Sequence, residues 1–217
     1  MRAEGRLELA AVLYERSVFG GDEGAVATAL TELDHVEADL ALARGRILHA
    51  RFLEDRKEDA SELVLFERAV QLYQQVGDVR GEAEAHFWVG AFHQVVRGDT
   101  AAALPSLQRS YALATEVGDR LTQSYAARHL GFADLAAGDN ARGRKRLEES
   151  VLLRRELGFQ PGVAAGLLAL AEVAAEEGRR DDALAMIDEA AAIATASGAN
   201  GIHRWIDEAR AGLATND

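Results

Sequence analysis

The sequence predicts an all-α protein made of repeated antiparallel helix pairs, and three observations carry that prediction. Ala, Leu, Glu and Arg dominate the composition, whereas aromatic residues are only 6% and β-branched residues rarely run together; the first group are strong helix formers and the others favour strands. Two prolines and twenty glycines are spread over 217 residues. Many of the glycines fall between periodic segments, where helix ends need them. Finally, "QQVGDVRGEAEAHFWVG" is echoed forty-one residues later by "TEVGDRLTQSYAARHLG".

The echo is one register of three. Gly77, Gly118, Gly158 and Gly198 mark the same turn at spacings of 41, 40 and 40. Thirteen residues beyond each expected turn come Ala50 (counted from Glu37), Gly90, Gly131 and Ala171. Phe66, Leu107, Leu147 and Ile187 each precede a small residue by three, namely Ala69, Ser110, Ser150 and Ala190. Each unit divides again at "EDRKEDA", "VRGDTAA", "AAGDNAR" or "EEGRRDD". Both halves carry apolar residues at i, i+3, i+4 and i+7, so each unit is two amphipathic helices. In the third unit this predicts helices over residues 121–137 and 141–157, with Gly138 left-handed and Asp139 or Asn140 as the cap. Gly131 and Ser150 sit mid-helix, where a larger side chain would hold two helices apart. The second unit has one residue more between Gly90 and Gly98 than the third has between Gly131 and Gly138.

Helix pairs with small facing residues at this period resemble the tetratricopeptide (TPR) family. The matching stretches are "HFWVGAFHQVVRGDTAAALPSLQRSYALA", "ARHLGFADLAAGDNARGRKRLEESVLL" and "LLALAEVAAEEGRRDDALAMIDEAAAIA". Units near 40 residues exceed the family's usual 34, a variant similar to the helical arrays of large bacterial transcription regulators and ATP-dependent signalling proteins. The resemblance implies a right-handed α-α superhelix, a TPR-like solenoid, covering residues 37–198 as four repeats. Residues 2–18 and 23–36 are read as a degenerate N-terminal helix pair, and 199–217 as a C-terminal capping helix, since a stack needs polar ends. The whole is expected to be one continuous domain of about eleven helices.

Charge and motifs exclude more than they assign. Thirty-six acidic and 24 basic side chains leave a net charge of −12, a field that disfavours direct nucleic-acid binding. Without cysteine there is no disulfide framework and no thiolate zinc site. The longest apolar run, "GVAAGLLALA", is about half a membrane span. A soluble, cytoplasmic protein is expected. "FGGDEG" (residues 19–24) resembles the signature loop of diguanylate cyclases, but it lies between two helical stretches and is expected to be a helix end followed by an Asp22 cap. The six histidines show no tight ligand spacing, His86 and His93 sharing only a helix face, and no phosphate-binding glycine loop occurs. Neither metal nor other cofactor is expected. "RGRKRLEES" reads as a solvated face with Arg144–Glu148 and Lys145–Glu149 pairs.

In the TPR family the first helix of each pair lines a concave wall. Carried onto this chain, that wall comprises Arg44, Ile47, Arg51 and Glu54; Glu84, Phe87, Ala91 and Gln94; Tyr125, Arg128, Phe132 and Leu135; and Ala165, Leu168, Glu172 and Ala175, with Trp205 closing the end. Arg44, Arg51, Phe87, Tyr125, Arg128 and Phe132 are the candidate partner-binding residues, because arginine forks grip carboxylates and aromatics supply rigid contact area. The expected function is a non-enzymatic scaffold that holds a peptide or protein segment, acidic or amphipathic, within bacterial regulation. The alternatives are a small-ligand receptor or enzyme using Arg51, His86, Arg128 and His129, or self-association as a homodimer through an exposed terminal helix.

Overall fold

The computed structural model describes residues 3–214, and every regular element among them is a helix. The chain divides between Val117 and Gly118 into two compact units. The first contains α1 (Ala3–Gly20), α2 (Ala25–Asp55), α3 (Ala60–Val76), α4 (Val79–Ala91), a π-helical turn (Phe92–Val96) and α5 (Thr100–Glu116). The second contains α6 (Arg120–Ala136), α7 (Asn140–Glu156), α8 (Gln160–Glu176), α9 (Arg180–Ser197), a 3-10 turn (Asn200–Ile202) and α10 (His203–Ala214). Within each unit the helices pack chiefly on their sequence neighbours; α10 also reaches α8. That is how repeats which cannot bury their apolar faces alone behave. None of the helices among the described residues is long and apolar enough to cross a membrane.

Turn chemistry sets the period. From α3 to α9 the helices end at glycines with positive φ: Gly77, Gly98, Gly118, Gly138, Gly158, Gly178 and Gly198. A left-handed residue turns the amides that follow the helix back to donate to its last carbonyls, and glycine adopts it at no steric cost. Asp59, Asp78, Asp99, Asp119 and Asp139 then accept from the first turn of the next helix, as in Asp139 Oδ1 from the Arg142 amide at 3.1 Å. α6 and α7 fall within one residue of the predicted ranges. The extra residue of the second repeat is taken up by the π turn, whose wider loop accommodates one more residue without breaking the helix.

The N-terminus differs from expectation. Residue 37 begins no new repeat: α2 runs unbroken for 31 residues, so ten α-helices are described and not eleven. No glycine or proline occurs between Ala25 and Arg44, and the first left-handed residue after Ala25 is Arg56 (φ 59). α1 ends at Gly20, two residues beyond the predicted 18; Arg2 and residues 215–217, included in the predicted end helices, lie outside the described residues. Around "FGGDEG", Gly21 is left-handed (φ 67) and Asp22 Oδ1 accepts the Gly24 amide at 3.1 Å.

The small residues do the packing job expected of them in three of the four repeats. A methyl group at Gly90 would lie 2.6 Å from the Leu107 side chain, and one at Gly131 would meet the Gly143 carbonyl at 3.1 Å. Ser150 is buried and donates its Oγ hydrogen to the Ser124 carbonyl at 2.7 Å. Ala171 lies in a core with Leu147, Val151, Val163, Leu167 and Ile187. Ala50, by contrast, is exposed, and its neighbour His49 is buried against Glu62 (Nδ1 to Oε1, 2.8 Å). Because α2 starts no turn at Glu37, a register counted from there misses the contact face; Gly45 is the residue packed against Phe66.

Candidate functional site

The six candidate residues divide three and three between the units. In the first, Arg44 and Arg51 project from α2 and are exposed, whereas Phe87 on α4 is 3% exposed and packs edge-to-face on Trp88. Phe87 therefore supports the core and offers a partner no surface. Arg51 pairs with Asp59, the residue that caps α3 and accepts the Ser61 amide at 2.9 Å. Hydrogen bonds from Ser61, reinforced by Arg51, hold the Asp59 carboxyl below the usual carboxylate range. Glu84, on the projected wall, takes its ion pair from Arg46 at 3.1 Å, and Arg46 also lies over the Trp88 ring. Arg44 borders an apolar groove of about 610 Å³ between α2 and α3, with Ala43, Ile47, Leu48, Val64 and Leu65.

In the second unit, Tyr125, Arg128 and Phe132 lie along α6. Arg128 donates from Nη1 to the Ala165 carbonyl at 2.7 Å, and its guanidinium lies 4.8 Å from the centre of the Phe132 ring. Burial pushes it down to about 10, with the charge of Arg154 adding to the shift and Glu172 opposing it. Tyr125 takes a second guanidinium, that of Arg154, at 5.1 Å and meets Phe159 edge-on. Arg154 is a residue that sequence reasoning missed. It is buried on α7, donating to the Gly162 carbonyl at 2.9 Å and to Ser124 Oγ at 3.3 Å. Its place four residues after Ser150, on the same helix face, was the available signal.

Arg128 opens into a pocket of about 510 Å³ formed by α6, α8 and α10. Ala165, Leu168, Glu172, Ala175 and Trp205, all on the projected wall, line it with Arg128. The residues not anticipated there include Ala169 and Glu176 of α8 and Glu208, Ala209 and Leu213 of α10. α10 is amphipathic: Ile206 and Leu213 are buried on the core side, and Trp205, one residue from Ile206, is 40% exposed at the pocket. Three carboxylates against one guanidinium make this lining acidic, the reverse of the arginine-rich wall expected. Arg128 is only half-buried, but its carbonyl bond and its contact with Phe132 explain the reversal: it acts as a packed strut, and the exposed charges are glutamates.

No family model matches the chain, and no curated protein does. Among solved structures the chain is similar to BtubC (BKLC) from P. vanneervenii, at 16% identity and a TM-score of 0.48 over 91% of this chain and 93% of that one.

Proposed function

We propose that the protein is a non-enzymatic, TPR-like interaction module of the bacterial cytoplasm, and that its second unit takes a partner segment into the pocket between α6, α8 and α10. The segment carries a lysine or arginine beside an apolar anchor. The observation that supports this reading is the lining: an apolar floor from Leu168, Ala169 and Leu213, a part-exposed Trp205, and a rim of Glu172, Glu176 and Glu208. A large aromatic beside a desolvated floor is the usual make-up of a binding hot spot, and the carboxylates select the charge of what enters. A net charge of −12 draws the same class of partner at long range.

A displayed random-peptide library tests the proposal. Wild type is expected to enrich sequences pairing a basic residue with a large apolar one, and Trp205 fluorescence is expected to shift on binding. In the variant Glu172→Lys, Glu176→Lys, Glu208→Lys, affinity for the enriched peptides should fall tenfold or more with helicity unchanged. No enrichment, or binding indifferent to the charge reversal, refutes it. A pocket of this volume also fits a small ligand; a thermal-shift response to a small cationic compound, with no peptide enriched, would favour a receptor.

A further inference from the structure

The 31-residue α2 carries a seam that its own fold leaves uncovered. Val26, Leu30, Leu33, Leu40 and Ile47 are all exposed, Leu30 by 58% and Ile47 by 71%. Together with Glu37, Arg44 and Arg51, which are exposed as well, they occupy positions 26, 30, 33, 37, 40, 44, 47 and 51. Alternating steps of four and three over two dozen residues are the spacing of a coiled-coil seam, which is narrower than the stripe of an ordinary surface helix. A soluble protein rarely leaves such a stripe bare.

The charge pattern of the helix specifies what covers it. Residues 25–39 hold four carboxylates (Glu32, Asp34, Glu37, Asp39) and no lysine or arginine; residues 40–53 hold three arginines (Arg44, Arg46, Arg51) and no carboxylate. Such a helix repels a parallel copy of itself and attracts an antiparallel one. Antiparallel overlap of the whole seam sets Val26 against Arg51, Leu30 against Ile47, Leu33 against Arg44 and Glu37 against Leu40, each layer containing at least one apolar side chain. Arg44 of the second copy then falls one turn from Glu37. Its aliphatic stem covers Leu33 while the guanidinium reaches the carboxylate. Leu30 of the second copy arrives at Ile47, beside the 610 Å³ apolar groove that Ile47 and Val64 border. We infer that the protein forms an isologous dimer through antiparallel pairing of α2, with Leu30 of each copy seated at the Ile47–Val64 groove of the other. The existing partners of the seam charges, Arg68 for Glu37 and Asp59 for Arg51, are solvent-exposed pairs that resist exchange weakly.

Sedimentation velocity of the full chain over roughly 1–100 μM tests for the dimer. Wild type should dimerise, and Leu30→Glu with Ile47→Glu should be monomeric at every concentration with unchanged helicity, since both side chains face solvent in the single copy. Arg44→Glu should weaken the dimer tenfold or more, and adding Glu37→Arg should restore it. The absence of native cysteine makes orientation directly readable. Under oxidation, a mixture of Leu30→Cys and Ile47→Cys chains should cross-link to each other, while Leu30→Cys alone should not. A monomeric wild type overturns the inference, whatever else binds the seam. So does a Leu30→Cys homodimer, which would report parallel pairing.

Discussion

Glu62 shows how a single residue in this fold acts against stability. Its side chain is wholly buried, one carboxylate oxygen takes the His49 contact, and Oε2 has no hydrogen-bond partner among the described residues. Burial pushes its carboxyl above the ordinary carboxylate value, against the opposing pull of His49. A carboxyl raised in the folded state contributes stability that is complete below the ordinary value of 4.5 and is lost as pH rises through the raised one. Glu62→Gln keeps an acceptor for His49 and removes the charge. The variant should therefore gain melting temperature over wild type as pH rises from 4.5 to 7.5, the gap being smallest at the acid end. Thermal melts across that range decide it, and a gap independent of pH would show that Glu62 does not titrate as described.

At the scale of elements, one residue separates the second helix pair from the others, and the π turn at Phe92–Val96 is where the chain absorbs it. The Arg97 amide bonds back to the Phe92 carbonyl at 3.3 Å and the Asp99 amide to the His93 carbonyl at 2.8 Å. Deleting Gln94 restores the seven-residue step from the mid-helix glycine to the turn glycine, as from Gly131 to Gly138. The deletion variant should fold with native helicity and a melting temperature within about 5 °C of wild type, a change on the order of 1–2 kcal/mol. Loss of folding would mean that the wide turn is required and does more than absorb an insertion. α2 shows the converse: lacking a glycine where a turn was expected, two predicted helices run as one, and the fused helix is long enough to present a seam.

At the scale of the molecule, each helix depends on its neighbours within its own unit. Ile187 is buried among Leu147, Val163, Leu167 and Ile206 in the core of the second unit. Ile187→Ala should cost about 2–5 kcal/mol. Because coupling in a stack passes between neighbours, hydrogen exchange should quicken in α8, α9 and α10 while the first unit's amides keep their protection. Uniform acceleration across α1–α10 would instead show the chain to unfold as one cooperative body.

Most of the elements were legible in the sequence because the signals that make them are local. A glycine in the left-handed conformation, an aspartate cap and a helical apolar period act within a few residues, and their recurrence at 40 or 41 residues exposed the repeat from Gly77 to Gly198. The small residues Gly90, Gly131 and Ser150 were legible too, since a close helix crossing tolerates little else. What surrounds a side chain was not. Arg128 and Glu172 look equally available on a projected wall, yet one is half-buried and bonded to the Ala165 carbonyl while the other is exposed. Phe87 packs inward, and Glu176 and Glu208 meet at one pocket although thirty-two residues separate them. By itself, then, the sequence determined the all-α class, the period and the helix turns from Gly77 to Gly198, through interactions that span a turn. Only the tertiary structure decided which charges face solvent and which pair inside, because burial and desolvation depend on segments that meet only when the helices pack.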